Sequence, residues 1–387
     1  GGLLGAPGGF FVKAAPTEGK RLTFLPAFAT IILYLYVILI EPSRTLKAGI
    51  LTIKHHQSST IQKGLIMLRE KRLLAILTAV IFVCLAVGIL NSPQYDLSAK
   101  QEEHQKKFGA VYMTLNNPFY EIIDEEIRTE VENHGDVLLS RDPALSVEKQ
   151  TEEVEDLIAE GVSVIFLNPV DFERMGPALE AARAARIPVI TIDTNVQDSS
   201  AVVSTIETDN YAAGRACAEH LLQTVGHANI LLLKHSTARS AVDRITGFRQ
   251  TIAGHPGFTI VDEAECDGQL ERAMPAMQEM LERHPEADTV MALNDPSALG
   301  AMAALEARGR LQGFRVYGVD GVPETKELIL AGRMTATAGQ SPRRIGRLAA
   351  QQAYRLLDGE DVEQLIQLPP HLWTRENLSP SQTKEWD

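Results

Sequence analysis

The sequence predicts an α/β protein made of two parallel sheets, each flanked by helices, behind an N-terminal membrane anchor. Three observations predict it. From residue 108 onward, short apolar runs of strand length alternate with amphipathic segments of helix length, the rhythm of a parallel sheet with right-handed crossovers. The strand-like runs are continuously apolar, so both faces of each sheet should carry helices. The patterned part is longer than one doubly wound sheet normally uses. Two sheets are therefore expected, with the break near Ile206–Asp209, where the runs Ile187–Asp193 and Ala201–Ile206 follow each other without a helix between them.

The N-terminal elements come first. Residues 1–22 are Gly-rich and irregular. Thr23–Ile40 and Leu73–Leu90 are apolar runs, each about long enough to cross a bilayer core as a helix. Arg69, Lys71 and Arg72 precede the second run, the pattern of an export signal or signal anchor. No small-x-small cleavage site follows Leu90. Cys84 is preceded by Ile81-Phe82-Val83 rather than by the small residues of a lipoprotein site. Residues 67–90 are therefore read as an uncleaved anchor with everything beyond Leu90 outside the cytoplasm. Residues 1–66 stay open between a true first span at 23–40 and an extension upstream of a start at Met67. Residues 91–107 are polar and charged and read as a linker.

The repeating elements follow. Strands are expected at Phe108–Thr114, Asp136–Leu139, Val162–Leu167, Ile187–Asp193, Ala201–Ile206, Asn229–Leu233, Thr289–Leu293, Phe314–Val319 and Met334–Ala338. Between them lie helical faces such as Phe119, Ile122, Ile123, Ile127 and Val131, and Val147, Val154, Leu157 and Ile158. The acidic run Glu148–Glu160 reads as a solvated helix face.

Composition excludes several functions. The chain has 387 residues, 45% hydrophobic and 22% charged, an ordinary globular composition that can bury a core. Its formal net charge is −13, which repels phosphate backbones and argues against nucleic-acid binding. Three cysteines, Cys84, Cys217 and Cys266, form no CxxC, so a zinc knuckle or redox pair is not expected. Neither a P-loop, a GxSxG elbow, an HExxH helix nor a GxGxxG after a strand occurs. The histidines are scattered and read as surface or core residues.

Candidate function sits at the strand ends, because ligands of open parallel sheets bind beyond the carboxyl ends of the strands. Run after run ends in a polar group: Asn117, Asn168, Asp193, Asn294, Asp320 and Gln340, with Phe119 and Tyr120 beside the first. Amides donate and accept, carboxylates accept strongly, and ring faces cover C–H patches. That set suits a sugar. Each residue also has a plain alternative. Asn117 can cap a helix whose first residue is Pro118, Asp295 before Pro296 reads as a cap, Asp320-Gly321 can be a turn, and Phe119 has core spacing. The agreement of six strand ends carries the argument.

The segments Thr114-Leu-Asn-Asn-Pro-Phe-Tyr120, Leu167-Asn-Pro169, Ile187-Pro-Val-Ile-Thr-Ile-Asp193, Thr208-Asp-Asn210, Leu293-Asn-Asp295, Gly318-Val-Asp-Gly321 and Ala336-Thr-Ala-Gly-Gln340 resemble the ribose-binding-type substrate-binding proteins of bacterial sugar ABC importers. The resemblance spans residues 108 to about 378. It implies a two-lobed periplasmic-binding-protein type I fold, with lobes 108–207 plus 341–368 and 208–340 plus 369–387, joined by three crossing strands and closing over the ligand. It carries ligand positions onto Asn117, Phe119, Tyr120, Asn168, Asp193, Asn294, Asp320 and Gln340. It implies no catalysis, cofactor or metal. The expected partners are a monosaccharide or related polyol and the membrane subunits of an importer, or alternatively a sensor kinase or chemoreceptor, with the soluble part monomeric. Three positions depart: Thr194 and Val242 stand where arginines are expected, and Cys266 where an aromatic is expected. Arg239 or Arg244 could compensate by a local shift. Losing two bidentate donors and a stacking face leaves ribose itself in doubt. A repressor of the same fold would need a helix-turn-helix before residue 108, where apolar runs stand instead.

Overall fold

The computed structural model describes residues 58–90 and 105–386. The expectations for residues 1–57, including Thr23–Ile40, and for 91–104 of the linker lie outside them. Helix α1 (Ser58–Leu90) belongs to a unit of its own, separate from the unit that starts at Leu97. Its side chains from Leu73 to Leu85 are all exposed. Among the described residues, no helix is long and apolar enough to cross a membrane. The run read as an anchor, Leu73–Leu90, extends beyond the side chains described, so anchoring is carried below as a proposal.

The second unit holds two six-stranded sheets. The first is built in chain order from β1 (Lys107–Val111), α2 (Pro118–Asn133), β2 (Val137–Arg141), α3 (Val147–Ala159), β3 (Val164–Leu167), α4 (Gly176–Ala185), β4 (Val189–Ile192) and β5 (Val202–Thr208). The chain then enters the second: α5 (Asn210–Thr224), β6 (Ala228–Lys234), α6 (Arg239–Ile252), β7 (Phe258–Glu265), α7 (Leu270–Arg283), β8 (Thr289–Ala292), α8 (Asp295–Ala307), β9 (Arg315–Asp320), α9 (Pro323–Leu330) and β10 (Ala336–Gly339). Helix α10 (Pro342–Leu357) and β11 (Leu365–Leu368) return to the first sheet, and β12 (His371–Thr374) closes the second. The sheet orders are β2-β1-β3-β4-β5-β11 and β7-β6-β8-β9-β10-β12. The chain thus crosses between sheets three times: after β5, after β10, and between β11 and β12. Every pairing is parallel except that of β12 with β10.

Burial explains the elements. Strands β3, β4, β8 and β10 are buried at every residue, as continuously apolar runs require. Helix α2 buries Phe119, Ile123, Ile127 and Val131. It packs near the returning α10: Tyr354 donates from its hydroxyl to Asp136 Oδ2 (2.8 Å) and Arg343 pairs with Glu126 Oε1 (2.7 Å). The break between sheets falls at Thr208, with Asp209 capping α5 through Ala212 N–H (2.9 Å). Three strands were not anticipated. β7 is a half-exposed edge strand whose polar and apolar residues mix (FTIVDEAE), and β11 and β12 are four-residue edges.

One half-buried acid sits at a crossing. Glu207 on β5 accepts from Gln367 Nε2 on β11 (3.0 Å). Burial pushes its pKa up to about 7, with Asp243 and Asp193 adding to the rise. A raised acid is stabilised by its protonated form, so the cost of ionising Glu207 is absent at acid pH and is incurred as pH rises through about 7. Glu207→Gln is expected to raise the unfolding temperature at pH 8.5 and to change it little at pH 5. Equal shifts at both pH values in thermal melts would contradict this.

Candidate functional site

A cavity of about 400 Å³ of empty volume, open solvent at its mouth included, lies between the carboxyl ends of the two sheets. Of the eight residues expected to bind ligand, seven line it: Asn117, Phe119, Tyr120, Asp193, Asn294, Asp320 and Gln340. The first four stand beyond the strand ends of the first sheet, Phe119 and Tyr120 in the first turn of α2, and the last three at the strand ends of the second.

Several of these side chains have two duties. Asn117 caps α2, its Oδ1 accepting from Phe119 N–H (3.0 Å), and its amide also lines the cavity. Asn294 caps α8 through Ser297 N–H (3.0 Å) and donates from Nδ2 to Gly268 O (3.1 Å). Phe119 is a core residue, 2% exposed, that is also cavity wall, with the Trp386 ring 5.9 Å behind it. The cap and binding readings are compatible, because a helix N-terminus beyond a strand faces the same crevice.

Asn168 is placed differently. It is fully buried and does not line the cavity. Its Oδ1 accepts from Met113 N–H (3.0 Å), and its Nδ2 donates to Ile192 O (3.1 Å) and lies 3.5 Å from Asp193 Oδ2. It holds the ends of β1 and β4 together and aims Asp193.

Asp295 is not the cap it was expected to be; Asn294 fills that place. The Asp295 carboxylate is buried and collects four donors: Gly321 N–H (2.9 Å), Val322 N–H (3.0 Å), Thr325 Oγ1 (2.6 Å) and Thr337 Oγ1 (2.7 Å). It fixes the turn that presents Asp320.

Three acids line the cavity, Asp193, Asp267 and Asp320, and two of them, Asp193 and Asp320, are held under strain and out of water. Asp193 has φ 66° and Asp320 φ 136°, backbone states that cost on the order of 1–3 kcal/mol each in a non-Gly residue. Both are 2% exposed. Burial raises both carboxyl pKa values, and the Arg244 guanidinium opposes the rise. Asp193 Oδ2 accepts from the Tyr120 hydroxyl (3.3 Å), and Asp320 Oδ1 accepts from Gln340 Nε2 (2.7 Å). Their other oxygens, Asp193 Oδ1 and Asp320 Oδ2, are buried without a hydrogen-bond partner, as is Gln340 Oε1. An orphaned buried acceptor costs about 1–3 kcal/mol. Three of them stand on one cavity, at the carboxyl ends of β4, β9 and β10.

Of the two arginines considered as local substitutes, Arg244 is among the cavity-lining residues and Arg239 is not. Arg244 is 3% exposed, 3.9 Å from Asp193 and 3.7 Å from Asp320, whereas Val242 does not line the cavity. The Arg244 Nε donates to Asn210 Oδ1 (2.8 Å) and its Nη1 to Leu293 O (3.1 Å). The guanidinium is fixed by a close helix crossing: a Cβ on Gly214 of α5 would overlap the Arg244 carbonyl, and one on Gly247 of α6 would overlap Tyr211 O. Thr194 is buried and its Oγ1 accepts from Ser240 N–H of the second lobe (2.9 Å). With Phe172 N–H donating to Thr237 O (3.0 Å), this bond latches the lobes beside the cavity. The Cys266 thiol faces Ser297 Oγ (3.3 Å) and does not line the cavity.

Sequence reasoning at strand ends missed His235, Ser240 and Gln269, and only floated Arg244. A signal for Arg244 existed: it shares the buried face of α6 with Ala241, Ile245 and Phe248, and a charge on an apolar stripe requires partners.

The family model for a periplasmic binding protein domain matches residues 108–361. The chain is 32% identical over 255 residues to the ribose import binding protein of Salmonella typhimurium, covering 65% of this chain and 85% of that one. It is 31% identical over 310 residues to the ribose import binding protein of Bacillus subtilis, covering 79% and 99%. The solved structure of an ABC transporter solute binding protein from Mycobacterium smegmatis with bound glycerol aligns with a TM-score of 0.67 at 34% identity, covering 70% of this chain and 95% of that one.

Proposed function

The chain belongs to the family of periplasmic binding protein domains, and on that premise we propose that it captures a monosaccharide or related neutral polyol outside the cytoplasm and delivers it to an ABC importer. The observation that carries this reading is the trio of buried acceptors without a hydrogen-bond partner, Asp193 Oδ1, Asp320 Oδ2 and Gln340 Oε1, on one cavity. Ligand hydroxyls satisfy all three as donors and receive bonds in return from the amides of Asn117 and Asn294 and from Arg244. Asp193 comes from one lobe and Asp320 and Gln340 from the other, so a ligand bonded to all three stabilises the closed arrangement by its differential affinity. The lobes that close are residues 108–207 with 341–368, and 208–340 with 369–387. Binding and release involve no covalent step.

Two further parts belong to the proposal. Leu73–Leu90 tethers the binding unit to the membrane, which raises its local concentration beside the importer. The Bacillus relative supports a real N-terminal segment, because a match over 79% of the chain takes in more than residues 105–387 hold. The importer, rather than a sensor, is favoured because both ribose relatives are named as import proteins.

A thermal-shift screen of the protein against pentoses, hexoses, deoxy-sugars and inositols tests the function. A ligand at 100 times its Kd stabilises by about 2.7 kcal/mol, a clear rise in unfolding temperature. At least one neutral polyol is expected to give it. No shift with any polyol, or turnover of an offered glycoside, would overturn the reading.

A further inference from the structure

We propose that His235 supplies the second lobe's ring against the bound ligand and decides which polyol is accepted; the inference rests on the binding reading above and deepens it. His235 follows the last residue of β6, Lys234, and so occupies a strand end like the residues already placed. It is 5% exposed and lines the cavity. Among the described residues lining the cavity, the flat rings are Phe119 and Tyr120 from the first lobe and His235 from the second.

The imidazole is built into the wall. One ring nitrogen, Nε2, lies 2.9 Å from Thr237 Oγ1. The other, Nδ1, lies on the side of Gly268: a Cβ there would come within 3.7 Å of Nδ1 and 3.1 Å of Asn294 Nδ2. Gly268 has φ +69°, so glycine both permits the turn and keeps the space between His235 and Asn294 clear. The ring therefore stands beside one of the proposed ligand residues.

The neighbouring strand end explains why the ring comes from here. Lys234 is in register with Glu265, and Cys266 N–H donates to Lys234 O (2.9 Å). Positions 235 and 266 are thus adjacent strand ends. The Cys266 thiol turns away to Ser297, so position 266 offers no ring and position 235 offers one. Burial holds the imidazole uncharged near neutral pH, Glu265 and Asp171 acting against Arg272 nearby. A neutral ring with a polar edge fits a cyclic polyol with one C–H face and one hydroxyl toward that edge.

The test uses the full chain and calorimetric titration with D-ribose, L-arabinose, D-galactose, D-fucose and myo-inositol. For the probe that wild type binds best, His235→Ala is expected to weaken binding about tenfold or more. His235→Phe keeps the face without the polar edge and is expected to change the rank order of the five probes. Undiminished binding by His235→Ala, or an unchanged rank order in His235→Phe, overturns this inference alone. Failure of wild type to bind any probe overturns it together with the function on which it rests.

Discussion

Asp320→Ala is expected to abolish measurable polyol binding while leaving the protein folded. The Asp320 carboxylate accepts from Gln340 Nε2 and lies near Arg244, and its second oxygen has no hydrogen-bond partner. Hydrogen bonds to charged groups contribute about 1.5–3 kcal/mol each. Removing the acceptor of a ligand hydroxyl, and the group that orients Gln340, should therefore weaken binding by roughly 30- to 1,000-fold. The stability effect has a different character. Burial raises the pKa of this carboxyl, so its ionised form is costly. Losing it removes that cost but takes one carboxylate from Arg244 and the acceptor from Gln340 Nε2, while Asp193 stays beside Arg244, so the unfolding temperature is expected to change little. Calorimetry with the screened ligand and a thermal melt read the two effects separately. A folded variant that binds like wild type contradicts the placement of the site, and a collapsed melt contradicts the idea that Asp320 serves binding rather than folding.

Asp295→Ala is expected to show the reverse profile, a large loss of stability. Its four donors, two backbone N–H groups and two threonine hydroxyls, are all buried and would lose their acceptor together. Breaking such a buried charged network costs about 3–5 kcal/mol, or on the order of 10 °C in unfolding temperature for a domain of this size. A helix cap in the same place would cost only about 1 kcal/mol. Chemical denaturation can distinguish these magnitudes. A loss near 1 kcal/mol would mean that Asp295 is the simple cap the Asp-Pro pair suggested. A loss of several kcal/mol, with weakened ligand binding in the surviving folded fraction, fits the hub that sets the turn at Asp320-Gly321.

The contrast between these two neighbouring acids shows what a sequence reveals about such a site. Both stand at strand ends among polar residues, and nothing local distinguishes the one that faces the cavity from the one that faces the protein. Asn168 repeats the lesson: it has the right residue type at the right strand end, yet its amide is consumed by Met113, Ile192 and Asp193. The strand ends themselves were legible because fully buried parallel strands write uninterrupted apolar runs, and the first polar residue after each run marks where the sheet opens. Strands β7, β11 and β12 were illegible for the converse reason. They are short or half-exposed edges, stabilised by the neighbour they pair with rather than by their own pattern. Arg244 lies inside a helix, and only the backbone contact between α5 and α6, made by Gly214 and Gly247, brings it to the acids. That is a tertiary fact. His235 follows a lysine, and so ends no apolar run. Thr194 looked like a lost arginine and turned out to bond the opposite lobe.

In the proposed function, polar groups from both lobes grip one small molecule. A crystal structure of the protein grown with the polyol that stabilises it most tests this directly. One molecule is expected in the cavity, with ligand hydroxyls within hydrogen-bond reach of Asp193 Oδ1 on the first lobe and of Asp320 Oδ2 and Gln340 Oε1 on the second. A ligand that touches only one lobe, or that binds elsewhere and leaves those three oxygens unpaired, would contradict it.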